Sequence, residues 1–272
     1  MSSVLIVGYG TVGSNLHKEL SALNPDIYDK KGETPLGPGI SDLVYRNYTP
    51  IWNTKDNDKV YDIAFICVDT PLSEDGINLD ITEVRNAIDE NKARVYVIKS
   101  TCPIGTVNFI KQLTRKHIIF SPEYYGSTQH ANNWDFNFTI LGGDRADCIY
   151  VQQALQKCYD GRHTFHITDS RTAELVKFME NSWIATKVSF CNQFYEIANY
   201  NGVSYEELRE LFILDPRVNP SHTFVDRNAP YWDSHCLNKD VNHIAKSESV
   251  ASLLRNIVEY NNSRKKESKH EC

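Results

Sequence analysis

The chain has 272 residues, 41% of them hydrophobic and 24% charged, with a formal net charge of −6. That length makes one large domain or two modest ones with a real core, and the acidic balance speaks against a general nucleic-acid binder. No stretch is long and apolar enough to span a bilayer, and an immediate first strand leaves no place for a signal peptide. The seven cysteines, an odd number with no C-x-x-C, are therefore expected as reduced thiols in a cytoplasm.

The chain opens on Ser3–Gly13, SVLIVGYGTVG. Val4 to Val7 suits a buried strand, and Ser14 to Leu23 carries leucines at helical spacing. Between them Gly8, Gly10 and Gly13 stand at the G-x-G-x-x-G spacing. In this context Gly8 permits the tight turn, Gly10 lets backbone approach a pyrophosphate, and Gly13 lets the helix lie close to the strand. The helix start at Thr11 and Val12 offers N–H groups to the phosphates. A second strand, Asp26–Asp29, ends in an acid about twenty residues past the first glycine, where a carboxylate accepts from ribose hydroxyls and repels a 2′-phosphate. NAD is thus expected over NADP, although Lys30 and Lys31 weaken the preference, and a solvated DKKGE turn is the competing reading.

A Gly/Pro-rich loop, GETPLGPG, follows, then a polar segment to Lys59. Strands are expected at Asp62–Asp69, Val95–Thr101, Ile118–Ser121, Phe138–Leu141 and His163–Thr168, with helices at Leu79–Asn91, Thr106–Lys116 and Ala146–Tyr159. Such alternation predicts a parallel, doubly wound sheet. His163-x-x-His166 lies in a strand-like run without a nearby third ligand, so no metal site is expected. From Ser170 to Asn201 there is neither Gly nor Pro, and Leu175, Phe178, Met179, Ile184 and Val188 recur as in a long helix. A short helix at Ser204–Phe212, a loop at Ile213–His235 and helices from about Lys239 to Tyr260 complete the chain, with a charged, frayed tail over 261–272. The expected fold is α/β: a Rossmann domain over 1–168, an α-helical domain with a long central helix over 169–260, and the tail.

Ligand clefts in such sheets lie at the carboxyl ends of the strands. That rim gathers Val68, Thr70 and Pro71, then Thr101, then Glu123, a carboxylate placed to act as a base. Lys177 and Asn181 share a face of the long helix at i, i+4, a pair that can hold an oxyanion, although helix faces often carry such pairs. Cys236 is expected just before a helix, with Lys239 one turn on; both features favour a thiolate. A thiolate can add to an aldehyde, and hydride loss followed by hydrolysis gives an acid. A small buried apolar residue is the alternative for this cysteine.

Together VGYGTVG (7–13), CVDTP (67–71), STCPIGT (100–106), SPE (121–123), AELVKFMEN (173–181), DPRV (215–218) and CLNKD (236–240) resemble, in order, the UDP-glucose/GDP-mannose dehydrogenase family. The resemblance implies oxidation of a nucleotide sugar's C6 alcohol to a carboxylate with two NAD per turnover. It implies Cys236 as nucleophile, Glu123 as the base in thioester hydrolysis, and Lys177, Asn181 and Asp240 steadying oxyanion and water, with Thr101 near the reacting centre. It also implies Lys239 near the cofactor, Arg217 binding substrate across a dimer interface, and a homodimer.

Two departures stand out. The family's glycine-rich loop before the cysteine is replaced by Ala229–His235, where Tyr231 and Trp232 are expected to alter or block the sugar pocket. The family also continues into a further α/β domain that grips the base, so this is expected to be a shortened form. Two alternatives stay open: a two-electron hydroxyacid-type dehydrogenase using Lys177 and Asn181, and a non-catalytic NAD-binding remnant.

Overall fold

A computed structural model describes residues 2–31, 53–125 and 136–268; the Gly/Pro-rich run and residues 269–272 lie outside it. The chain divides into two compact units, Met1–Pro71 with Asp80–Lys177, and Leu72–Leu79 with Phe178–Cys272.

The first unit is built on a seven-stranded sheet in the order β2-β1-β3-β4-β5-β6-β7. The strands are β1 (Val4–Val7), β2 (Asp26–Tyr28), β3 (Tyr61–Ile66), β4 (Ala93–Ile98), β5 (Ile118–Phe120), β6 (Phe138–Gly142) and β7 (Thr164–Thr168). Between them run α1 (Thr11–Glu19), α2 (Thr82–Asp89), α3 (Thr106–Thr114) and α4 (Arg145–Leu155). Alternate residues of β1 face opposite sides: Val4 and Ile6 pack with Leu16 of α1 and Val151 of α4, whereas Leu5 and Val7 pack with Val84 of α2 and Ile110 of α3. Apolar residues on both faces produce the continuous hydrophobic runs seen in the strands.

The expectation of an all-parallel sheet needs one correction: β6 runs antiparallel to β5, pairing at Phe120 and Gly142. A parallel neighbour requires a long crossover, usually a helix. The alternation that marks residues 138–141 as a strand carries no information on its direction. The order reverses between β1 and β3, so the switch point lies where Gly8 and Cys67 leave their strands, a position where such sheets hold ligands.

A 31-residue helix, α5 (Ser170–Tyr200), runs on from the first unit into the second. The second unit adds α6 (Tyr205–Phe212), α7 (His235–Ser247) and α8 (Ser252–Ser268). Ala185 of α5, Trp232, Leu237 and Val241 of α7, and Val258 of α8 form its core. The segment 72–79 belongs here too: the His243 ring pairs with the Ile77 carbonyl at 2.8 Å and Lys246 donates to that of Gly76 at 2.9 Å.

The expected frayed tail is also corrected, since α8 continues to Ser268. Its charges have partners within the unit: Arg264 pairs with Glu196 at 2.5 Å and Lys265 with Asp233 at 2.6 Å.

Candidate active site

The glycine turn is forced by backbone crowding. Gly8 has φ +90°, which favours glycine, and a Cβ there would come within 2.7 Å of the Cys67 carbonyl oxygen. A Cβ on Gly13 would lie 1.9 Å from the Gly8 carbonyl oxygen. Gly10 differs, because a Cβ there would meet nothing within 4 Å. The fold needs Gly8 and Gly13; the space above Gly10 is open, as a pyrophosphate requires. Gly10 is also the N-cap of α1 and caps it with no side chain, so Thr11 begins a helix whose amides face an uncapped end. Val12 packs against the core. Asp29 follows β2, its carboxylate accepting from the N–H of Tyr9 at 2.8 Å and of Lys31 at 2.9 Å. It therefore braces the glycine turn as well as closing the strand, a duty the sequence pattern did not disclose. Lys30 pairs with Glu83 at 2.6 Å.

At the other strand ends the loops are tied together. Thr70 Oγ1 donates to the Thr101 carbonyl at 2.7 Å, and Ser100 Oγ donates to the Val68 carbonyl at 2.6 Å. Pro71 ends that segment. Glu174 of α5 accepts from the N–H groups of Gly105 (2.5 Å) and Val107 (2.9 Å), so it caps α3 from outside and holds the Thr101 loop. Burial raises its pKa against the lowering effect of those bonds.

Glu123 is buried; its carboxylate accepts from Tyr125 N–H at 2.8 Å and lies 3.7 Å from Lys177 Nζ, itself buried. A second buried cation stands below. Lys99 donates to Ser121 Oγ at 3.3 Å and to the Pro122 carbonyl at 3.1 Å, bracing the segment that presents Glu123. Burial pushes its ammonium down, with Cys67 and Glu123 pulling the other way. Nearby, burial pushes the Cys67 thiol up to about 12, so it is an inert core residue. Sequence reasoning missed Lys99. The usable signal was a lysine directly after the four-residue apolar run that ends β4, a place where charge is rarely left without purpose.

The second unit carries the other group. Asn181 Nδ2 donates to Asp240 Oδ2 at 2.6 Å, and Lys239 Nζ lies 2.6 Å from Asp240 Oδ1. All three are buried. Such a chain is costly unless each member is satisfied, and it fixes the side chains that take part. Cys236 is partly exposed and lies inside the first turn of α7 rather than before it, because Ser234 is the N-cap and accepts from Leu237 N–H. Arg217 is exposed and paired with Asp215 at 2.5 Å.

The expectation for Trp232 is overturned. Its ring is buried in the core with Leu237 and Val241, and its indole N–H donates to Ser189 Oγ at 3.0 Å. The bulk that the sequence suggested would block a pocket instead anchors the segment before Cys236.

Comparison with known proteins bears on the family and the fold. Residues 30–161 match the NAD binding domain of the UDP-glucose/GDP-mannose dehydrogenase family, and residues 171–263 match its central domain. A UDP-N-acetyl-D-mannosamine dehydrogenase of Methanocaldococcus jannaschii is 30% identical over 214 residues, covering 74% of this chain and 48% of the relative. The UDP-glucose 6-dehydrogenase TuaD of Bacillus subtilis is 28% identical over 261 residues, covering 85% of this chain and 54% of TuaD. The chain thus spans about half the length of these curated relatives. The structure of a UDP-glucose dehydrogenase from Pyrobaculum islandicum shares the fold with a TM-score of 0.77 at 21% identity, over 97% of this chain and 68% of that one. Two matched domains, in order along one chain, place this protein in the UDP-glucose/GDP-mannose dehydrogenase family.

Proposed function

We propose that this chain is an NAD-dependent dehydrogenase that oxidises the C6 alcohol of a UDP-glucose-like nucleotide sugar to the carboxylate through a covalent intermediate on Cys236. The observation that carries the reading is the buried Asn181–Asp240–Lys239 chain beginning one turn from that thiol. A helix pair needing only a core would be served as well by apolar side chains.

The residues present fit a dinucleotide. Gly8, Gly10, Thr11, Val12 and Gly13 would hold the pyrophosphate, Asp29 the adenosine ribose, and Val68, Thr70, Pro71, Thr101, Glu123 and Lys239 the rest. NAD supplies the hydride acceptor, two equivalents for each alcohol taken to acid. The Cys236 thiolate adds to the C6 aldehyde, forming a carbon–sulfur bond and placing negative charge on oxygen. Lys177 and Asn181 stabilise that oxygen, Asp240 fixing the amide's orientation. Once oxidised, the adduct is a thioester. Glu123 takes a proton from water, which attacks the carbonyl carbon; the carbon–sulfur bond breaks and the thiolate leaves.

Arg217 is assigned to the substrate, reached from a second copy of the chain. A homodimer is supported by the apolar side chains that α5 leaves in solvent, Trp183, Phe190, Phe194 and Ile197 among them, with Met179 at 73% exposure. Among the described residues no helix is long and apolar enough to cross a membrane, and a cytoplasmic site of action is part of the proposal.

Turnover with UDP-glucose and with UDP-N-acetylmannosamine tests the reading. Two NADH per sugar acid and a mass-detected adduct on Cys236 are expected. One NADH with a carbonyl product would assign the chain to the two-electron hydroxyacid type. NAD binding with no turnover across a nucleotide-sugar panel would reduce it to a binding module.

A further inference from the structure

We propose that Asn261, on α8, is a positioning residue for Cys236; the inference rests on reading that cysteine as the nucleophile. Asn261 is 3% exposed in the middle of a helix. Asparagine is a poor helix former, and a buried amide is costly unless both of its ends are used. Here both ends serve one residue. Oδ1 accepts from Trp232 N–H at 2.8 Å, and Nδ2 donates to the Trp232 carbonyl at 3.0 Å. A side chain thus gives Trp232 the two bonds that a neighbouring strand would otherwise provide.

The indole N–H of the same residue is held by Ser189 of α5 at 3.0 Å. Trp232 is therefore fixed by its N–H, its carbonyl and its ring. Only Asp233 separates it from the Ser234 cap, and Lys265, one turn beyond Asn261 on α8, holds Asp233 at 2.6 Å. The start of α7, and with it the position of the Cys236 sulfur, is thereby set from α8 and α5. In α5 the anchor Ser189 lies about 12 Å along the axis from Asn181, the group that grips α7 through Asp240. Two ties that far apart define both where α7 begins and how it is oriented.

The test uses the full chain with Asn261→Ala and Asn261→Asp, the second keeping the size and the acceptor for Trp232 N–H. Iodoacetamide labelling is followed by peptide mass at Cys236 and, as an internal control, at Cys158, partly exposed in the first unit. Freeing the helix start removes the environment that favours thiolate, so Cys236 labelling at pH 7 is expected to slow by about threefold or more, while Cys158 stays within about twofold of the parent. In turnover, kcat falls by roughly ten- to a hundredfold with the Kd for NAD unchanged, as misplacement of a reacting group entails. Unchanged or faster labelling at Cys236 in both variants overturns the proposal. So does a parallel change at Cys158, which would make Asn261 a residue of general stability. Full turnover by Cys236→Ala would instead remove the nucleophile itself, whatever the labelling shows.

Discussion

The glycine turn at Gly8–Gly13 and the helix start at Trp232–Cys236 are built by opposite means. The turn is mostly local: the positive φ of Gly8 and the Gly8 carbonyl against Gly13 lie within it and its brace, Asp29, is 20 residues from Tyr9, while the Cys67 carbonyl that crowds Gly8 comes from the neighbouring strand end. The helix start is held by residues remote in sequence. Asn261 lies 29 positions from Trp232, Ser189 lies 43 away, and Asn181 lies 59 from Asp240. Local sterics leave a motif that can be read; distant anchors leave a buried asparagine or serine that resembles any other.

The largest expected effect breaks the second region. On the proposed mechanism Cys236→Ala should lower the rate of acid formation by at least about 10³-fold, the scale on which removal of a nucleophile acts, with the Kd for NAD unchanged. Stopped-flow NADH formation and equilibrium NAD titration measure the two. If NAD binding falls with turnover, the turn and the helix start are not independent.

The turn itself separates a fold glycine from a ligand glycine. In Gly13→Ala the new methyl must displace the Gly8 carbonyl, 1.9 Å away, so the cost should be about 3 kcal/mol and a Tm lower by roughly 5–10 °C. Gly10→Ala puts its methyl into open space. Its Tm should stay within about 1 °C of the parent while the Kd for NAD rises by about tenfold or more, because the methyl occupies the ground proposed for the pyrophosphate. Equal Tm losses in the two variants would mean that Gly10 serves the fold after all.

Asp29→Ala tests the brace. Loss of the proposed ribose partner should cut the preference for NAD over NADP by roughly ten- to a hundredfold, and loss of the bond from Tyr9 N–H should cost about 1 kcal/mol. Comparing KM values for the two cofactors separates the first effect from the second.

How far the sequence could be read follows the same division. β1, the glycines, the acid after β2, the alternating strands and helices and the gap-free α5 were all legible because each depends on periodicity or on backbone sterics within a short window. Antiparallel β6 was not, since alternation reports the presence of a strand and not its direction. Trp232 was misjudged because bulk says nothing about which way a ring faces; its orientation is set by Ser189 and the core around Val241. The charged end of α8 read as a frayed tail, since the partners of Asn261, Arg264 and Lys265 lie elsewhere in the chain. Lys99 escaped notice because its partners, Ser121 and Pro122, belong to the next strand end.

The smallest effect concerns the edge of the sheet opposite the glycine turn. Asp62, at the amino end of β3, accepts from Ser3 N–H at 2.8 Å, from Ser3 Oγ at 3.1 Å and from Tyr150 OH at 2.8 Å. The bond from the Ser3 N–H, more than the tyrosine bond and the nearby Arg94 charge, holds its carboxyl below the usual 3.8 against the opposing effect of burial. A depressed folded-state pKa means that this stabilisation is present above about pH 4 and is lost as pH falls through the folded value. Asp62→Asn should therefore flatten the acid limb of the Tm–pH curve, by about 1 kcal/mol or less because the group is only partly buried. Its effect on the pH profile of kcat should be nil, since it lies at the amino ends of the strands and Glu123 at the carboxyl ends. A shift in both curves would show that the two edges of the sheet are coupled, and the division between a sheet edge that holds the fold and one that presents chemistry would have to be given up.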